Sequence, residues 1–90
     1  MDEKFEAIKK ALRFTHNALD DDIKRNITAA EGDMALVGIS RGYQGAELYT
    51  QCIVFYCKWI YDFMGKGEEF RKAYERLRDS MSLDSKNGSG

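Results

Sequence analysis

"CIVFYC", residues 52–57, is the longest unbroken apolar run in the chain, and its reading decides the fold. By propensity alone it passes for a buried β-strand, because a short apolar run fits either a strand or a helix. Its surroundings favour the helix. From Glu47 to Met64, Leu48, Cys52, Phe55, Tyr56, Trp59 and Phe63 recur at three- and four-residue spacing, widened by Tyr49, Ile60 and Met64. That is one helical stripe, sustained well beyond the length of an ordinary strand.

The rest of the chain repeats this periodicity in milder form. Phe5, Ile8 and Leu12 share one face of a first helix over 2–14, with acids Asp2 and Glu3 at its start and Lys9, Lys10 and Arg13 near its end. That order matches the helix macrodipole. Leu19, Ile23, Ile27, Ala30, Met34 and Val37 mark a second helix over 18–37, closed near Gly38. A fourth, over 67–82, follows the "MGKGEE" break and carries Phe70, Ala73, Tyr74, Leu77 and Met81. The expected fold is all-α, a small bundle of about four helices (2–14, 18–37, 47–64 and 67–82). A long loop spans 38–46, and residues 1–83 form one domain followed by a flexible, disordered tail, 84–90.

"THNALDDDI", residues 15–23, gathers a histidine and three aspartates. Successive helical residues fan out by 100°, so three adjacent carboxylates do not converge on one ion. The stretch reads as a helix start, with Asn17 or Thr15 as N-cap and the aspartates beside exposed backbone N–H groups. His16 is the only histidine. No metal site and no cofactor is expected.

Composition narrows the function. Lys plus Arg is 14 against 15 for Asp plus Glu, a net charge of -1. Duplex binding is dominated by phosphate neutralisation and favours a basic excess, which is missing here. Cys52 and Cys57 lie five apart in an apolar setting and lack the Cys-x-x-Cys spacing of redox and zinc motifs, so they read as small core residues of a reducing compartment. The start "MDEKFEAIKK" has no apolar run resembling a signal peptide, and no stretch has the length of a membrane span. The expectation is therefore a protein made in the cytoplasm with no membrane partner. Neither GxSxG, a GK[ST] phosphate loop nor HExxH occurs, and the cysteines lack a plausible base. No enzyme is expected.

On the third helix, Val54 and Tyr61 fall seven residues apart inside the polar arc of Glu47, Thr50, Gln51, Lys58 and Asp62. Either they are scattered surface apolar residues, or they mark a second packing face used against another subunit. In the second case Tyr43, Tyr49, Val54, Trp59 and Tyr61 are the interface candidates, since Trp and Tyr dominate interface hot spots. On the fourth helix, Arg71, Lys72, Arg76 and Arg78 interleave with Glu68, Glu69 and Glu75. This is either a solvated, salt-bridged face or a basic face toward DNA.

Three stretches carry a resemblance: "LRFTHNALDDDI" at 12–23, "LYTQCIVFYCKW" at 48–59 and "FRKAYERLRDSMSL" at 70–83. In order and spacing the chain resembles the small head–tail connector, or adaptor, proteins of tailed bacteriophages and prophages, also called DNA-packaging proteins. The resemblance implies a structural virion protein that forms a homo-oligomeric ring under the portal protein. Such a ring extends the DNA channel, touches packaged DNA transiently and docks the next connector or tail protein at the head–tail junction. It also implies docking through residues 39–46 and the end of the fourth helix with its tail. Two other readings remain open: a helix-turn-helix-like DNA-binding regulator using Arg71, Lys72, Arg76 and Arg78, and an accessory helical protein-binding module.

Overall fold

In a computed structural model the chain folds into four helices, α1 (Asp2–Ala11), α2 (Asp20–Leu36), α3 (Ala46–Ile60) and α4 (Gly67–Gly88), with a short 3-10 turn at Phe63–Gly65. The structure describes residues 2–40 and 46–88, with side chains for 4–40 and 47–83; among these there is no strand. "CIVFYC" lies wholly inside α3.

A helix that is apolar nearly all round must be covered on most sides, and α3 is. Cys52, Ile53 and Cys57 are fully buried, and Tyr49 and Val54 nearly so. α3 packs against α1, α2 and α4, most extensively against α4. The α3–α4 pair is antiparallel: Phe63 in the turn meets Phe70 at 6.1 Å, and Tyr56, two turns back, meets Tyr74 edge-on at 5.3 Å. α2 also runs antiparallel to α3, with Tyr61 bonded to Asp22 at one end and the Tyr49 hydroxyl 3.4 Å from Glu31 at the other. Phe5, Ile8 and Leu12 of α1, with Ile23, Ile27, Ala30 and Met34 of α2, complete the core.

Helix ends depart from the sequence expectation where the backbone turns left-handed. α1 stops at Ala11 because Arg13 adopts φ 62. Its N–H donates to Lys10 O at 3.0 Å and that of Phe14 to Lys9 O at 3.3 Å, the bond pattern of a Schellman stop. Phe14 is thereby folded back, edge-on to Tyr61 at 5.4 Å. α2 closes the same way at Gly38 (φ 88), with Ile39 N–H reaching Met34 O at 3.0 Å and its side chain buried. Glycine adopts that conformation without a Cβ clash. At the other end of α2 the expected caps are not used. Leu19 occupies the N-cap position without a side-chain bond, while Asn17 accepts from Lys9 Nζ at 2.7 Å.

α3 ends at Ile60, short of Met64, because Asp62 (φ 48) and Met64 (φ 54) are both left-handed. Asp62 Oδ1 then accepts the backbone N–H of Gly67 at 2.8 Å, capping α4. Gly67 is required for this approach, since a Cβ there would lie 2.7 Å from Asp62 Oδ1 and 3.1 Å from Trp59 O. At the far end α4 continues through Gly88, so most of the segment expected as a disordered tail is helical. Extending an existing helix costs far less than nucleating one, so weak formers can follow a packed segment. Ser82 Oγ donates to Val37 O at 2.7 Å, satisfying a carbonyl at the end of α2.

Candidate functional site

Polar bonds fix α2 over the other helices. The Tyr61 hydroxyl donates to Asp22, and Asn26 Nδ2 donates to the same hydroxyl oxygen at 3.0 Å. Burial, and then the Asp22 bond, push the Tyr61 phenol up to about 12. The Tyr74 hydroxyl donates to Asp33, which also takes Arg78 at 3.1 Å. Burial followed by the Asp33 bond raises Tyr74 far above the usual phenol range. Burial opposes the charge on Arg78, but its hydrogen bonds to Asp33 and Asp79 outweigh that and raise its pKa.

The "DDD" carboxylates have separate destinations. Asp20 pairs with Lys9 at 2.9 Å, Asp22 binds Tyr61, and Asp21 is exposed. His16 Nδ1 accepts the N–H of Ala18 at 3.3 Å. Both cysteines are free and fully buried, and burial pushes each thiol up to about 12. Thiols held protonated in this way are poor nucleophiles.

The interface candidates separate. Val54 and Tyr49 are each only 5% exposed, inside the chain's own core. Tyr61 is half-buried against Phe14 and bonded to α2. The reading of Val54 and Tyr61 as a spare outer face is therefore corrected: Val54 belongs to the chain's own core, and Phe14 and α2 take up Tyr61. A heptad spacing records which residues share a face, not which neighbour takes it. Trp59 stays partly open, packed against Tyr56 and Tyr74. Tyr43 lies outside the described residues, as do 41–45 of the expected docking loop.

The basic candidates also divide. Arg71 bonds Glu68 and Glu75, and Arg78 bonds Asp33 and Asp79, so both guanidiniums are engaged within the chain. Lys72 and Arg76 are exposed on the outer side of α4.

Of the apolar residues left open, Leu36 and Leu83 lie off the stripes read from the sequence, whereas Leu48, Ile60 and Met64 were expected on the stripe of the third helix. Leu36 is 85% exposed and Met64 72%, with Leu48, Ile60 and Leu83 also open. Leu36 borders a groove of about 400 Å³ between α2 and α4, floored by Tyr56, Trp59 and Tyr74. The signal for Leu36 was its place off the apolar stripe of α2. Met64 was expected on the stripe of the third helix, and it leaves the packed face because α3 stops at Ile60 and the backbone turns left-handed at Asp62 and Met64. Among the described residues no helix is long and apolar enough to cross a membrane. The chain matches no protein-family model, no curated protein and no solved structure.

Proposed function

We propose that the chain is a structural connector subunit that assembles with copies of itself into a ring under a bacteriophage portal, extends the DNA channel and docks the next connector or tail protein. The observation that carries the reading is the placement of exposed apolar side chains at both ends of the α3–α4 hairpin. Ile60 and Met64 lie at the turn, and Leu48 and Leu83 at the opposite end. From Gly67 to Leu83, α4 rises roughly 24 Å, so these are separate patches. A ring closed by head-to-tail contacts needs two different patches on each subunit. The resemblance at 12–23, 48–59 and 70–83 supplies the virion context.

Charge fits a conduit better than a DNA clamp. The net charge is -1, and with Arg71 and Arg78 held by carboxylates the α4 basic set keeps only Lys72 and Arg76 exposed, whereas duplex affinity climbs steeply with the number of phosphates neutralised. Incubating the chain with a bacteriophage portal protein from the same genome, which the reading requires to exist, and imaging the complex by electron microscopy tests the reading. A ring of the chain on the portal is expected. Failure to bind the portal, or tight duplex binding with a steep salt slope, overturns it in favour of an accessory module or a DNA-binding regulator.

A further inference from the structure

Backbone strain in this fold gathers in the turn between α3 and α4. Asp62 (φ 48), Met64 (φ 54) and Gly65 (φ 71) are all left-handed within four residues. Glycine takes that conformation freely and aspartate tolerates it, but in methionine the Cβ crowds the following carbonyl. Met64 is also 72% exposed, so packing offsets little of that cost. The turn is closed by two short-range bonds, Gly65 N–H to Asp62 O at 2.9 Å and Lys66 N–H to Phe63 O at 3.0 Å, and by the Asp62 cap on Gly67.

A straighter path is open to the same residues. The apolar stripe of α3 continues in register through Phe63 and Met64, and no proline occurs to stop a helix running from α3 into α4. Such a helix replaces the turn bonds with ordinary helical ones and relieves Met64. Against it stand two mid-helix glycines, Gly65 and Gly67, and the loss of the Asp62 cap and the Phe63–Phe70 ring contact. Straightening takes α4 off its own α3 and opens the most extensive helix contact in the chain. The surface complementary to what is opened is that of another α4. It supplies the Tyr74 ring for Tyr56 and Trp59, the Tyr74 hydroxyl and Arg78 for Asp33, and Ser82 for Val37 O.

We infer that the 62–66 turn is a hinge through which two copies of the chain exchange α4, giving a two-fold dimer in which each α4 packs on the other copy's α3. Exchange keeps the α4 contacts and changes the hinge, so strain in a short hinge favours it. It goes beyond the connector reading and does not depend on it. Two hinge substitutions push in opposite directions. Met64→Gly relieves the closed turn and weakens the continuous helix. Gly65→Ala strengthens the helix and strains the closed turn through its φ alone, since a Cβ there meets nothing within 4 Å. Each chain is unfolded in urea, refolded at millimolar concentration and separated by size-exclusion chromatography. Wild type should give monomer with a dimer fraction. The dimer-to-monomer ratio should rise about tenfold or more in Gly65→Ala and fall about tenfold or more in Met64→Gly. A donor–acceptor dye pair on Leu48→Cys and Leu83→Cys, exposed positions at one end of the closed hairpin, identifies exchange. A doubly labelled chain among excess unlabelled copies should show efficient transfer as monomer and weak transfer as dimer, because a continuous helix sets the two positions roughly 50 Å apart. A wild type that stays monomeric, variants that shift the ratio in the same direction, or a dimer with undiminished transfer would each overturn the exchange.

Discussion

The Tyr74 hydroxyl of α4 donates to the Asp33 carboxylate of α2, joining two helices that otherwise meet mainly through α3. Asp33 also holds Arg78, so one carboxylate anchors two side chains one helical turn apart on α4.

Removing either partner of that bond should cost unequal amounts. Tyr74→Phe keeps the buried ring and loses one hydrogen bond, a cost of about 1 kcal/mol. Asp33→Ala strands a buried hydroxyl and a part-buried guanidinium, and should cost about 2–3 kcal/mol. Urea denaturation of both variants measures the difference, and equal costs would contradict the shared-anchor geometry.

Stability should fall in alkali and stay insensitive to these groups at neutral pH. Cys52 and Cys57 are raised from 9.0 to about 12, and Tyr61 from 10.0 to about 12. A group whose folded pKa is raised stabilises the fold fully below its unfolded pKa and loses that contribution as pH rises through the folded one. The decline should begin near pH 9, where unfolded thiols ionise, and continue to about 12. Replacing both cysteines by alanine should move its onset toward pH 10, the phenol value, in melts recorded across this range.

Gly67→Ala should destabilise by about 1–3 kcal/mol, the usual cost of forcing an atom into a filled site, because its Cβ meets Asp62 Oδ1 and Trp59 O. Asp62→Asn keeps an acceptor for the Gly67 N–H and should be milder than Asp62→Ala, which loses the cap at about 1 kcal/mol. Thermal melts of the three variants give the ranking.

Val54→Asp should unfold the chain rather than merely block assembly. An unpaired carboxylate at a position 5% exposed is among the costliest single changes. Loss of the far-ultraviolet helical signal is the expected result; a folded monomer would mean that the α1–α2 cover on α3 is loose.

The helices themselves were legible because their signal is periodic and local. Phe5–Ile8–Leu12 and Phe70–Tyr74–Leu77–Met81 repeat at the spacing of one helical face, and Gly38 supplies the left-handed stop that glycine favours. The stop at Arg13 was not legible, since arginine does not announce a positive φ, and aspartate at 62, although more tolerant of that conformation, is common in helices and marks no stop by itself. Among the site candidates, Trp59 lies at the open groove, while Tyr49 and Val54 were drawn into the core and Tyr61 against its edge by helices whose arrangement no spacing encodes.

By itself, then, the sequence determined an all-α chain with a central helix too apolar to stand uncovered, because hydrophobic period and helix geometry act within a few residues of each other. Only the tertiary structure decided which side of α3 would be covered by its own chain and which apolar side chains, Leu36 and Met64 foremost, would stay in water. Those outcomes depend on how α1, α2 and α4 pack around α3. That packing is fixed by contacts between residues tens of positions apart, such as Asp22 with Tyr61 and Asp33 with Tyr74.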